Sequence, residues 1–357
     1  MNSLKPRFTS QIASSLLIVA VMAAAGLLWM AFPAVYPKVI QEDGLVEWMT
    51  FWAFMAAAAL AIVAFRQRQP DDHVMRHLYL LAFAVGAFAV AMEEISWGQR
   101  LIGYQPPETF LAENFQQEFN LHNLAGTDTR KALLLSLLIS FGVLFPVLGR
   151  VPPLAGWLQR WLVPVPGLGL MPGFALLAAV YLIYPIESTG EWIELGAGLG
   201  FTCAALAYPR VLSPSARWAF AGLPLVLGVI TPFFFMPGPD PERAALAVKE
   251  AEALAEEVSK RRLRSRCGVH KRVYTFVEEY GSGDLSKGAW AQLEPVDESE
   301  ALRHQYFLDP WNMPYWIRHT CSGGRATAIF VYSFGPNRRR DSGPTQIVAD
   351  DVGAYAR

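Results

Sequence analysis

The sequence predicts a helical membrane bundle of about seven spans, followed by a small α+β domain in water. Three observations predict it. Long apolar blocks are confined to residues before Pro237, the stretch after Asp240 has ordinary soluble composition, and helical periodicity gives way after Gly268 to short segments punctuated by Gly, Pro and Asp. Of 357 residues, 53% are hydrophobic and 17% charged, against roughly 45–50% and 25% in soluble domains. The surplus apolar surface makes the lipid bilayer the first expected partner. The division expected is a transmembrane domain over residues 1–237 and a water-facing domain over 238–357. A net charge of −1 gives no electrostatic basis for nucleic-acid binding.

A helix needs about 20 mostly apolar residues to cross the hydrocarbon layer. Seven stretches read that way: Gln11–Phe32, Leu45–Phe65, His77–Met92, Ala132–Leu148, Leu170–Ile186, Glu191–Tyr208 and Arg217–Met236. The third is short. Pro224 and Pro232 interrupt the seventh, which membrane helices tolerate because neighbours satisfy the freed carbonyls. The first follows Lys5 and Arg7, but its apolar run is too long for a signal peptide and no small-x-small cleavage site follows it. It is expected to be an anchor.

Lysine and arginine set the orientation. Lys5 and Arg7, then Arg66, Arg68 and Arg76, then Arg150 and Arg160, then Arg210 and Arg217 occupy alternate loops. That side is expected to be the cytoplasm. With the N-terminus inside, seven spans place the C-terminal domain outside, in the periplasm of a bacterial inner-membrane protein. Trp29, Trp48, Trp52, Trp97, Trp192 and Trp218 fall near span ends, where interfacial indoles belong.

The outward ends of the spans are rich in acid. Glu42, Asp43 and Glu47 open the second, Glu93 and Glu94 close the third, and Glu187, Glu191 and Glu194 lead into the sixth. Glu118 and His122 stand four apart in the loop before the fourth, near Asn123, and Arg100 follows Glu94 with Trp97 and Gln99 between. Helical spacing would bring several of these to one face, so the groups are expected to converge at the outer face. A carboxylate costs about 2.5–3.5 kcal/mol at the bilayer centre and much less at its edge. A solvated helix boundary therefore accounts for Glu42, Asp43 and Glu187.

Three readings remain for the others. A Glu/His pair with further carboxylates, including Glu47, Glu191 and Glu194, holds a divalent metal and lowers the pKa of its water. Alternatively, Glu93 and Glu94 act as an acid–base pair, with Arg100, Glu118 and His122 as the further catalytic candidates. In the third reading the groups form a structural network with Arg100 as counter-charge. The Glu-Glu…Arg plus His arrangement resembles that of membrane-embedded CAAX-type proteases, although Arg100 comes later than in that pattern and no second His motif follows.

Cys203 lies in an apolar run and reads as a small hydrophobe. Cys267 and Cys321 both fall in the water-facing part. They form either a disulfide, in an oxidising compartment, or two thiols.

Asp240-Pro241 reads as a helix start, an acidic N-cap with proline at the first position. Ala245, Leu246, Val248, Ala251, Leu254, Ala255 and Val258 continue at a period near 3.6. The helix is expected to end in the cationic run Lys260–Arg266, where its dipole favours positive charge. Ala326–Ser333 is rich in β-branched and aromatic residues and reads as a strand. Arg318–Cys321 is its expected partner, across a turn at Ser322-Gly-Gly324.

These segments carry a resemblance. Asp309-Pro-Trp-Asn-Met-Pro-Tyr315 resembles the Asp-Pro-Trp-Gly-x-Pro-Tyr signature of type II secretion major pseudopilins. Phe330-Val-Tyr-Ser-Phe-Gly335 is similar to their Tyr-Ser-x-Gly strand, and Asp350-Asp-Val352 to their late acidic segment. The resemblance covers roughly Pro241 to the C-terminus. It implies a helix packed on a small antiparallel sheet and a calcium ion pinning the last loop, held by Asn337, Asp341, Asp350 and Asp351. It also implies pseudopilins or secretion-platform proteins as partners. Two departures stand out. The family's Ala-Asp-Gly after the strand is Pro336-Asn337-Arg338 here, and Arg338–Arg340 add positive charge beside the presumed ion. A calcium-free loop with Asp341 paired to an arginine is the alternative. The last span also lacks the leader, cleavage site and early Glu of a true pseudopilin, so polymerisation is not expected. The function expected is a membrane component of a secretion or pilus-like apparatus; an intramembrane hydrolase or metalloenzyme is the alternative.

Overall fold

The structure is a computed structural model. It describes residues 8–114, 116–234, 238, 240–260, 270–280, 289–293, 295, 297–322, 325–342 and 346–356. The chain forms two compact units: Met1–Trp97 with Ala125–Phe234, and Gly98–Leu124 with Phe235–Arg357. One boundary between the units falls after Phe234, whereas composition divides the chain at 237–238. The assignment of 98–124 to the C-terminal unit is not foreseen by composition.

In the first unit, helix α1 (Phe8–Ala31) leads through a short α2 (Tyr36–Ile40) to α3 (Leu45–Arg66) and α4 (Val74–Glu94). Helices α5 (Gln99–Ile102) and α6 (Glu108–Glu113) belong to the second unit. The first unit resumes with α7 (Thr127–Ile139), a π-turn over Ser140–Leu144, α8 (Phe145–Leu148), α9 (Pro152–Arg160), α10 (Met171–Ile183), α11 (Thr189–Ala205) and α12 (Pro214–Phe234). Among the described residues, five apolar stretches are long enough to cross a membrane: Ile12–Ala31, Tyr36–Arg66, Val74–Glu94, Thr127–Leu148 and Pro214–Phe234. The other two expected spans fall short. α10 has 13 residues and α11 has 17, about 20 and 26 Å at 1.5 Å per residue, against roughly 30 Å of hydrocarbon.

α11 is apolar for a different reason: protein surrounds it. Thr202 and most of its neighbours along the helix are buried. A Cβ on Gly196 would meet Leu177, one on Gly198 would meet Ala53 and Phe54, and one on Gly200 would meet Phe174. Small residues let the backbones approach, and the Thr202 hydroxyl donates to the Ala53 carbonyl at 2.5 Å. The π-turn has a similar cause. Gly142 lies against Phe174, and Pro146 cannot donate back along the helix. In α12 the Thr231 hydroxyl donates to Leu227 O and accepts from Trp52 Nε1, both at 2.7 Å. This ties a proline-interrupted helix to α3.

At the arginine-rich end of this unit, half-buried Asp72 has a shielded side chain that receives a two-pronged bond from Arg210. Gln67 binds the same loop at Arg210 N and Val211 O, and Arg76 donates to Tyr208 O. Arg76 and Arg210, counted above toward an expected orientation, therefore staple the α3–α4 turn to the chain after α11.

The second unit is a helix on a sheet. Strands β1 (His270–Arg272), β2 (Trp316–Ser322), β3 (Arg325–Ser333) and β4 (Val352–Ala356) form one antiparallel sheet in sequential order. The expected β2–β3 pairing is present, from Trp316↔Tyr332 to Ser322↔Arg325. Helix α13 (Pro241–Lys260) packs Ala251, Leu254, Ala255 and Val258 against Ile317 and Val331. Asp240 caps it through Arg243 N. Helices α14 (Val273–Tyr280) and α15 (Glu298–Gln305) belong to the same unit. The inward face differs from the expected one at its start: Ala247 and Glu250 point in, while Ala245 and Val248 point out.

The reason is Glu250. Its fully buried carboxylate accepts two bonds from Arg303, at 2.9 and 2.6 Å, one from Tyr315 at 2.8 Å, and faces His304 Nε2 at 3.3 Å. Buried charge is tolerated only when paired in this way. The Asp309–Tyr315 motif is part of the same interior. Asp309 Oδ1 accepts from Trp311 N and Met313 N, and Ser333 donates to the other oxygen. Asp309 N donates to Met313 O at 2.6 Å. The aspartate thus closes the turn that aims Tyr315 at α13. Segment 98–124 adds a satellite core, with Leu111 against Tyr306 and Leu308. Asn312 donates to Gly103 O, Gln117 to Tyr306 O, and Tyr306 to Glu108.

Candidate functional site

The carboxylates expected to converge divide between the two units. In the first, α3 and α4 form an antiparallel hairpin and α11 runs parallel to α3, as the shared cores Leu60, Ala61, Leu80, Ala84 and Ala205 require. The start of α3, the end of α4 and the start of α11 therefore meet. The strongest electrostatic neighbours of Glu94 are four other carboxylates: Glu194, Glu191, Glu47 and Glu93. Those of Glu191 are Glu194, Glu42 and Arg130 from the first turn of α7. The Tyr181 hydroxyl at the end of α10 senses Glu194, Glu191 and Arg130.

Local chemistry fixes several of these groups. Glu47 turns back to accept from Asp43 N, closing the first turn of α3. Glu93 accepts from Trp97 Nε1 at 2.7 Å. Trp97 lies in a run of left-handed residues, with Ser96 at φ 47°, Trp97 at φ 54° and Gly98 at φ 80°. Bulky residues adopt that conformation only under constraint. Glu187 is exposed and precedes the helix, which begins at Thr189. Its carbonyl accepts from Tyr36.

The cluster carries more acid than Arg130 neutralises. Two ionised carboxylates about 5 Å apart, at an effective dielectric near 20, would repel by on the order of 3 kcal/mol. Glu94→Gln is accordingly expected to raise the melting temperature of the detergent-solubilised chain, and Arg130→Gln to lower it. Differential scanning calorimetry reads both; a lower melting temperature for Glu94→Gln would show that the carboxylate is stabilised rather than stressed.

The loop candidates are arranged differently. Residues 116–126 form turns, not a helix, so the spacing of Glu118 and His122 does not align them. Glu118 is buried and accepts from Asn120 Nδ2 at 3.0 Å, whereas His122 is exposed. Both lie in the second unit, with Gln99 Oε1 accepting from Phe119 N. Arg100 lies on α5; its side chain is outside the described residues, as are Cys267 and the side chain of Cys321.

The C-terminal loop gathers the other candidates. Asn337 Nδ2 donates to Asp341 at 2.8 Å and to Asp350 at 2.6 Å, and Asn337 N donates to Asp350 at 3.0 Å. Asp351 Oδ2 accepts from Asp341 N and Ser342 N, while its Oδ1 is buried without a hydrogen-bond partner. Burial, reinforced by Asp341, pushes the Asp351 carboxyl up to about 6. Burial also raises Asp350, with Asp341 again adding to the shift. Three carboxylates and an orphaned oxygen suit a cation. Asn337 does not suit it as a side-chain ligand. Its Oδ1 accepts from Arg339 N at 2.6 Å, which leaves the amide N–H groups facing the acids. Among the described residues, no group of three or more His, Cys, Asp or Glu already has metal-holding geometry.

Two features lie beyond the sequence reading. Arg130 and Tyr181 join the acidic cluster from α7 and α10, and Glu250 sits inside the second unit. No motif marks the first pair; for Glu250, an acid at a core position of an amphipathic helix is the signal. Comparison with family models, curated proteins and solved structures returns no match for this chain.

Proposed function

We propose that the protein is a multi-pass membrane component of a secretion or pilus-like apparatus, whose C-terminal unit docks pseudopilin-like partners outside the cytoplasm. The observation that carries this reading is the pseudopilin-like signature at work. Tyr315 bonds α13 through Glu250, and Asp309 ties its own turn to Ser333 of β3, in a helix-on-sheet unit of the kind the resemblance implies. Parity supports the placement. Segment 98–124 and residues 235–357 form one unit, which is consistent with an even number of crossings between them. Three long apolar stretches precede residue 98 among the described residues; if each crosses the bilayer, this unit lies opposite the N-terminus. The arginine-rich loops favour a cytoplasmic N-terminus, hence a periplasmic C-terminal unit in a bacterial inner membrane.

Affinity capture of the full chain from its native membrane is expected to recover pseudopilins or platform proteins. A clean capture with none of them removes the docking reading.

Calcium belongs to the same proposal, with Asp341, Asp350 and Asp351 as its ligands. Bound there, it would neutralise their repulsion and pin the loop to β4. Calcium at about 100 times its dissociation constant is expected to stabilise the unit by about 2.7 kcal/mol, and Asp350→Asn to abolish the effect. Equal unfolding curves in calcium and in chelator refute this part.

A second reading rests on Glu94. A carboxylate whose main electrostatic neighbours are acids suits membrane-embedded acid–base or hydrolytic chemistry. It predicts that Glu94→Gln is well folded but inactive in vivo; full complementation by that variant excludes it.

A further inference from the structure

Cross-strand partners in a sheet share a face. One face of this sheet, with Ile317 and Val331, packs on α13. The other pairs His270 with Arg318, Arg272 with Trp316, Trp316 with Tyr332 and Arg318 with Phe330. This second face is therefore a row of cations on an aromatic floor. The Arg272 guanidinium lies 5.0 Å from the Trp316 ring centroid, and His270 Nε2 is 2.8 Å from the Tyr332 hydroxyl. Arg340, from the loop after β3, comes within electrostatic range of His270, Arg318 and Tyr332.

The cations crowd one another. Burial first, then Arg340, Arg318 and Arg272, push His270 down to about 4, so it is neutral at physiological pH. Burial and Arg340 also lower Arg318. Arg318 and Arg340 are both partly buried. Among the described residues, neither forms an ion pair or a hydrogen bond to an acid. Asp351 reaches the edge of the cluster at Tyr332, but its Oδ2 is held by backbone N–H groups. Partly buried guanidinium groups without a carboxylate are costly unless something else supplies negative charge.

We propose that Arg318 and Arg340, with Arg272 beside them, form an oxyanion site at the edge of this second, loop-covered face of the sheet, and that its ligand is a phosphate group. Several guanidinium groups exceed the single charge of a carboxylate and match a phosphate, which carries up to about two charges and several acceptor oxygens. Arg318 and Arg272 stand on adjacent strands, which fixes their spacing before the ligand arrives. Arg340 closes the site from the loop. The phosphate comes either from solution or from a lipid headgroup, and the two sources are separable.

The test uses the full chain. Inorganic phosphate is titrated into the detergent-solubilised protein by calorimetry at constant ionic strength. The same protein is placed in phosphatidylcholine nanodiscs with or without phosphatidylglycerol, and hydrogen exchange is followed over 316–318 and 329–333. Saturable phosphate binding is expected, weakened about tenfold or more by Arg318→Gln and by Arg340→Gln, and unchanged by Arg243→Gln on α13. Binding in micelles without added protection in phosphatidylglycerol assigns the site to free phosphate; added protection assigns it to the headgroup. Arg340 lies on a loop, so its variant remains informative if Arg318→Gln unfolds. The proposal is overturned by binding that neither variant weakens, or by the absence of both phosphate binding and a phosphatidylglycerol effect. It is also overturned by a polyglutamate peptide that binds where phosphate does not.

Discussion

Glu250→Ala is expected to lose about 3–5 kcal/mol of stability in the C-terminal unit, the usual cost of stripping one partner from a buried ion pair. Domains of this size carry only about 5–15 kcal/mol, so the variant stands near global unfolding of that unit. The substitution orphans the Arg303 guanidinium, the Tyr315 hydroxyl and the facing His304 edge together. The double replacement Glu250→Met with Arg303→Met keeps the volume without the charges and is expected to recover most of the loss. Protease resistance of the C-terminal unit in the full chain reads both variants. A Glu250→Ala protein within 0.5 kcal/mol of the parent would show that the network contributes little.

The same carboxylate gives an acid limb. Burial raises its pKa, but bonds from His304, Arg303 and Tyr315 outweigh burial and hold it below the usual value of 4.5. A depressed carboxyl stabilises the fold above its unfolded-state pKa, and that contribution disappears as pH falls through the folded-state value. The unit is therefore expected to lose this stabilisation below about pH 4.5, and Glu250→Gln to flatten that part of the curve.

Gly335→Ala is the second large effect. Gly335 has φ 67°, and a Cβ there would lie 2.0 Å from the Asp350 carbonyl oxygen. The left-handed conformation alone costs alanine roughly 1–2 kcal/mol. The clash is with backbone, so the Asp350–Asp351 turn must also move, for a total on the order of 3 kcal/mol. Gly238→Ala, with nothing within 4 Å of its Cβ, is the matched control and is expected to be neutral. Urea unfolding separates the two, and any calcium response is expected to vanish in Gly335→Ala alone. Equal midpoints for the two variants would mean that the turn yields freely.

The parts of this structure legible in the sequence are those set by local spacing. Five long apolar stretches declare themselves by length, and Asp240-Pro241 by its capping chemistry. Ala326–Ser333 declares itself by its β-branched and aromatic content. The acidic ends were legible because each lies at the same end of its helix; their convergence follows from the α3–α4 hairpin and the parallel α11. α10 and α11 read as spans because apolar composition does not distinguish lipid from protein as the surrounding solvent. Glu118 and His122 had helical spacing, but their chain turns instead around Asn114 and Asn120. Glu250 does not show in a hydrophobic period, because its partner Arg303 lies 53 residues away. Arg130 and Tyr181 carry no motif, and only packing brings them to the acids.

The shared membership of 98–124 and 235–357 has a consequence for synthesis. The strap leaves the ribosome ahead of all of Ala125–Phe234, while its docking surface at Tyr306 and Leu308 is still unmade. At about 5–20 residues per second, Leu111 waits on the order of ten seconds before it has anything to pack against. The C-terminal fold therefore closes late, around a piece delivered early, and a stop codon after Phe234 strands that piece for good.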